Sequence, residues 1–186
     1  MPAQLKHPIV PNLWFDGNAE EAAAFYCEVF PRSRIITASR YTEAGPGEPG
    51  TVMVVEWDID GQRFLGINGG PQFPFSEAVS FLVTCDDQEE IDYYWDRLRE
   101  GGGEEGPCGW LKDRFGLSWQ VAPTGMDELF ADPDQSRATR AMTAMFGMHK
   151  LDIAALKAAA DGDDVRAAPS GPQDAPASPG ELLNPA

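Results

Sequence analysis

Cys108-Gly109-Trp110-Leu111-Lys112-Asp113-Arg114-Phe115-Gly116-Leu117-Ser118-Trp119-Gln120-Val121-Ala122-Pro123 says more about architecture than any other part of this chain. It predicts two short strands around a tight turn from Lys112 to Gly116. Asp113 is read as a turn former, because an aspartate readily caps its own backbone there. The second strand, Leu117 to Ala122, presents alternate residues to opposite faces. Ser118 and Gln120 then share one face, and Trp119 and Val121 the other.

Upstream of this hairpin the chain repeats one pattern twice. Val10 to Phe15 reads as a strand, and Asn18 with Glu21 has the spacing of a helix-capping box. Ala22, Phe25, Tyr26, Val29 and Phe30 fall on one helical stripe, which Pro31 ends. Arg34–Tyr41, Thr51–Ile59 and Arg63–Ile67 read as strands, with Asp60-Gly61 as the turn between the last two. The second copy has a strand at Val79–Cys85 and a capping pair at Asp87 and Glu90. Its helical stripe is Ile91, Tyr94, Trp95 and Leu98, stopped by Gly101-Gly102-Gly103. The fold class expected is therefore α+β: two βαβββ modules, at about 8–70 and 77–123, forming a curved mixed sheet around a cavity. Residues 124–161 read as a C-terminal helical extension, with Asp132-Pro133 as a start signal and Met142, Met145, Phe146 and His149 as a packing stripe. Residues 162–186, rich in Ala, Pro, Gly, Ser and Asp, read as a disordered tail.

The formal charge of −16 over 186 residues argues against nucleic acid, whose phosphates such a surface repels. No run of 18 apolar residues argues for a membrane span, and Met1 to Val10 has no apolar leader core, so a cytoplasmic protein is expected. Cys27, Cys85 and Cys108 read as reduced thiols, being an odd number at spacings that suit no disulfide frame.

The hairpin, together with Pro11-Asn12-Leu13-Trp14-Phe15, Asn68-Gly69-Gly70-Pro71 and Asp132-Pro133-Asp134, resembles the PhnB-like branch of the vicinal-oxygen-chelate superfamily, the fold of glyoxalase I and the ring-cleaving dioxygenases. Members of that branch carry the name 3-demethylubiquinone-9 3-methyltransferase. The resemblance runs from about Pro11 to Ala159. It implies metal-ligand positions at Pro11, Ser80 and Gln120 and near Leu65 to Ile67. Proline cannot ligate, and serine and glutamine are weak ligands, so no metal and no other cofactor is expected. His7 and His149, the only histidines, lie outside the modules. Gly101-Gly102-Gly103-Glu104-Glu105-Gly106 matches a G-x-G-x-x-G pattern, but it follows a helix and precedes a strand, the reverse of a phosphate-cradling loop. It reads as a helix stop.

What is left is a pocket. If Ser80 and Gln120 keep the ligand-facing direction, alternation adds Leu13, Phe15, Leu82, Thr84 and Ser118 to that face. Glu56 and Asn68 are further candidates, Glu56 and Asp58 sharing one face of their strand. Trp14, Trp57 and Trp110 are expected mainly in the core. The expected function is metal-independent binding of an uncharged or aromatic small molecule by a homodimer. The alternative is an enzyme on the same scaffold, acting on an aromatic or quinone-like substrate.

Overall fold

The computed structural model describes residues 9–163. His7 and residues 164–186, most of the expected tail, lie outside the described residues. The first module runs β1 (Asn12–Phe15), α1 (Ala19–Val29), β2 (Ser33–Arg40), β3 (Val52–Ile59) and β4 (Gln62–Asn68). The second runs β5 (Ser80–Cys85), α2 (Gln88–Leu98), β6 (Glu104–Glu105), β7 (Trp110–Lys112) and β8 (Ser118–Pro123). The α+β class and the two βαβββ modules are therefore present. The strands make two four-stranded mixed sheets, ordered β1-β4-β3-β2 and β5-β8-β7-β6, with no closed barrel. In each sheet the first strand runs parallel to the last, and the remaining pairs are antiparallel.

Each helix covers one face of its own sheet, and the two covered faces share one core. Phe15, Tyr26, Val55, Trp57, Ile91, Trp95, Leu98, Trp119 and Val121 are all buried in it. Aromatic contacts cross between the modules: Phe30 and Tyr26 meet Trp119, and Phe64 meets Phe81 edge-on at 5.3 Å. Such pairs add to what area burial alone gives. Gly66 lets α1 lie close, since a Cβ there would sit 3.1 Å from Ala19, Val55 and Trp57. Among the described residues no helix packs closely on the opposite face of either sheet.

Two local expectations change. Asn18 occupies the N-cap of α1 but makes no side-chain cap bond. Instead Asn68, at the end of β4, accepts the Ala19 amide at 2.9 Å and donates to the Val52 carbonyl. The second helix behaves as read: Asp87 accepts from the Glu90 amide, and the Glu90 carboxylate reaches back to the Asp86 amide. The G-x-G-x-x-G match is a helix stop, with the Gly103 amide bonded to the Arg99 carbonyl.

Residues 124–161 hold three helices: α3 (Met126–Phe130), α4 (Gln135–Phe146) and α5 (Ile153–Asp161). Asp134 rather than Asp132 caps α4, and Asp152 caps α5. The Met142–His149 stripe is not core, for Phe146 is 66% exposed and α4 buries only Ala138 and Ala141. The extension is strapped to the second module. The Cys108 and Gly109 amides donate to the Met148 and His149 carbonyls, and Gln88 bonds the Leu151 carbonyl and the Ile153 amide. Among the described residues no helix is long and apolar enough to cross a membrane.

Candidate functional site

Strand register sorts the candidate residues. In the second sheet Ser80 stands beside Ser118, and Ser118 beside Lys112. Leu82 stands beside Gln120, and Gln120 beside Trp110. Side chains in register share a face. The helix-free face of this sheet therefore collects Ser80, Leu82, Thr84, Ser118, Gln120, Trp110 and Lys112. Phe81, Val83, Trp119 and Val121 pack into or against the core on the other side.

This face has definite chemistry. Gln120 Nε2 donates to Ser80 Oγ at 2.8 Å, leaving the Gln120 carbonyl oxygen turned elsewhere. Leu82 is 57% exposed, an apolar side chain that nothing in the described chain covers. Ser118 is 1% exposed, and among the described residues its Oγ has no hydrogen-bond partner. A buried hydroxyl left unpaired costs about 1–3 kcal/mol, so such groups call for an explanation. An open cleft of about 690 Å³ lies over this part of the sheet, lined by Glu77, Glu104, Pro107, Trp110, Lys112 and Ser118 among others. Lys112 Nζ is 2.5 Å from Glu77, which comes from the crossover between the modules. Trp110, Lys112, Glu77 and Glu104 were not among the site residues read from sequence. Following the alternation back across the Lys112–Gly116 turn would have found Trp110 and Lys112.

The other candidates lie elsewhere. Leu13 and Phe15 are buried on the helix-covered face of the first sheet, because Leu13 is in register with Gly66 beneath α1. Asn12 and Trp14 take the open face there instead, where Trp14 Nε1 donates to the Gly70 carbonyl. Asn68 shares the covered side and caps α1. Glu56 is on the open face of the first sheet, not among the residues around Gln120. Among the described residues its ion-pair partner is Arg63, in contact without hydrogen-bond geometry. Asp58 is committed to the Gly61 amide in the adjacent turn, so Glu56 and Asp58 form no acidic pair. Of the three tryptophans expected in the core, Trp57 is there, while Trp14 and Trp110 are half-buried.

Asp113 does more than turn the chain. Its Oδ1 accepts the Phe115 and Leu117 amides, and its Oδ2 accepts Tyr26 Oη at 2.8 Å and Trp119 Nε1 at 2.9 Å. The bond from Tyr26 joins the modules. Burial raises the Asp113 carboxyl above the ordinary range against the pull of those four donors. Burial, then the Asp113 charge, raises the Tyr26 phenol. Neither faces the cleft. The thiols are poor nucleophiles: burial first, then Glu90, Asp86 and Asp87, pushes Cys85 up to about 12, and burial raises Cys27 and Cys108.

The fold's usual metal can be tested on donor chemistry. Ser80 and Gln120 offer two neutral oxygens, the Ser80 one already accepting from Gln120 Nε2, Pro11 offers no side-chain donor, and the Leu65–Ile67 stretch is apolar. Among the described residues no three His, Cys, Asp or Glu side chains gather to hold an ion. These residues do not fit a divalent transition metal.

The family profile described as 3-demethylubiquinone-9 3-methyltransferase matches residues 7–122. No curated protein matches the chain significantly. A solved structure from Bacillus cereus, described as a 3-demethylubiquinone-9 3-methyltransferase, PhnB protein, is 37% identical with a TM-score of 0.57. The alignment covers 63% of this chain and all of that one. Protein PA1353 from Pseudomonas aeruginosa shares the fold at 21% identity, TM-score 0.52, over 63% of this chain and 98% of its own. On the profile match, the 37% identity and the paired βαβββ modules, the chain belongs to the PhnB-like 3-demethylubiquinone-9 3-methyltransferase family of the vicinal-oxygen-chelate superfamily.

Proposed function

We propose that this protein binds an aromatic small molecule, without a metal, on the helix-free face of the second sheet. The observation that carries the reading is the buried, unpartnered Ser118 hydroxyl at the floor of a cleft walled by Trp110. A ligand on the Trp110 indole would be positioned by a hydrogen bond to Ser118, with Leu82 and the Ser80–Gln120 pair beside it. Nothing on this face resembles a nucleophile with an adjacent base, so binding is favoured over turnover. The family description names a methyl transfer, but among the described residues no strand runs through a glycine-rich loop into a helix to hold a nucleotide-like methyl donor.

The protein is further proposed to work as a cytoplasmic homodimer. Support for pairing is exposed apolar surface on the edge strands β2 and β5 and on the crossover between the modules: Ile35, Ile36, Phe73, Val79 and Leu82. Modules at 8–70 and 77–123 with an extension at 124–161 are the units proposed. Binding is tested with 1-naphthylmethanol by ligand-observed NMR. Saturation transfer to the naphthalene protons that is lost in Trp110→Ala is the expected result. Equal transfer in wild type and variant would overturn the site, and consumption of the probe would favour the enzyme alternative.

A further inference from the structure

The cleft carries a charge pattern that narrows its ligand, and this inference rests on the aromatic-binding reading above. Four charged residues line it, from β6, β7 and the crossover: Glu77, Glu104, Glu105 and Lys112. Glu105, next in sequence, is held by Arg99 at 2.6 Å. Lys112 is already paired with Glu77. Glu104 stands opposite Lys112 in register but makes no ion pair among the described residues. Two carboxylates thus share one ammonium, and the cleft keeps a net negative charge in a chain whose overall charge is −16. Such a field draws cations and repels anions.

Trp110 lies two residues from Lys112 on β7, so it is a diagonal neighbour of Glu104 across the strand pair, about 7–8 Å away. Ser118 is the next residue across from Lys112, and its free oxygen accepts as readily as it donates. We propose that the cleft of the second module selects an aromatic amine in its protonated form, the ring resting on Trp110 and the ammonium shared between the Glu104 carboxylate and Ser118 Oγ. An ammonium has three N–H donors and can serve both acceptors at once. No existing ion pair need break.

The test uses three naphthalene probes that differ only in the side group: 1-naphthylmethylamine, 1-naphthylmethanol and 1-naphthylacetate, titrated against the full chain by calorimetry at neutral pH. The amine should bind about threefold to fivefold tighter than the alcohol, the size expected of a solvent-facing ion pair. The acetate should bind more weakly than either. The preference should shrink in high salt. Glu104→Gln, a change at an exposed position, should bring the amine down to the level of the alcohol measured with the same variant. Lys112→Met should leave the amine equal or tighter. If the alcohol binds as well as the amine, or the acetate binds best and loses its advantage in Lys112→Met, the charge inference fails and the aromatic site survives. If none of the three binds, the aromatic reading fails with it.

Discussion

Removing the Asp113 carboxylate should loosen the joint between the two modules. In Asp113→Ala, four donors lose their acceptor: the Phe115 and Leu117 amides, Tyr26 Oη and Trp119 Nε1. Each unsatisfied buried donor costs about 1–3 kcal/mol, but the losses share one site and overlap, and the variant also escapes burying a charge. A net loss of about 3–5 kcal/mol follows, which for a domain of this size lowers Tm by about 8–15 °C. Asp113→Asn keeps one oxygen for the two turn amides and turns an NH2 group toward the indole N–H, so it should cost about 1–2 kcal/mol. Urea unfolding followed by tryptophan fluorescence measures both. The pH dependence carries a sign as well. Burial raises the folded-state pKa of Asp113, so the folded protein takes up a proton that the unfolded chain has already released. Its contribution is most favourable below the unfolded value near 3.9 and is lost as pH rises through the raised folded value. The stability of wild type over Asp113→Asn should therefore grow as pH falls from neutrality toward that range. An Asp113→Ala protein within 1 kcal/mol of wild type, on the scale of one lost hydrogen bond, would refute the joint. A gap that narrows on acidification would refute the dominance of burial over the four donors.

Asn68→Ala should cost about 1–2 kcal/mol, because it strips the cap from α1, whereas Asn18→Ala should cost under about 0.5, a contrast that thermal melts resolve. Ser118→Ala should leave stability unchanged or raise it by about 0.5 kcal/mol in urea, since it deletes an unpaired buried hydroxyl, while weakening 1-naphthylmethanol binding in the NMR assay. Purified protein should contain no stoichiometric transition metal by elemental analysis, and a chelator should leave Tm in place; a lowered Tm would point to a bound ion stabilising the fold. Gly109→Ala should be harsher than Gly116→Ala. Both have positive φ, but only at Gly109 would a Cβ collide with a neighbour, 2.6 Å from the Val121 carbonyl, a difference that denaturation midpoints read directly.

The doubled βαβββ order was legible because each element writes its own period and punctuation locally: Asp60-Gly61, Pro31 and the triple glycine stand where the chain turns. What escaped was non-local. No window around Asn18 reveals that the amide of Ala19 is taken by Asn68, 49 residues away, nor does the turn around Asp113 reveal Tyr26. Leu13 and Phe15 were assigned to the ligand face by carrying alternation from the second module to the first. The parity was off by one residue, and in a strand that exchanges every side chain between faces. Within the second sheet the same alternation places Ser80, Leu82, Thr84, Ser118 and Gln120 together, because one register there serves both parallel and antiparallel neighbours. The helical character of 126–161 was legible from its helix formers, but the starts were not: Asp134 and Asp152 cap the helices, where only Asp132 was read as a start signal.

The strap that fastens the extension has a kinetic consequence. The Cys108 and Gly109 amides are closed by carbonyls of Met148 and His149, which lie beyond the family's matched residues 7–122. They can trade hydrogen for deuterium only when that strap lifts. Their exchange rates should then move together with that of the Ile153 amide, held by Gln88, and separately from the strand amides of Val55 and Val83. If so, the added helices are a cooperative unit of their own, which can open beside the Trp110 strand while the two modules stay folded.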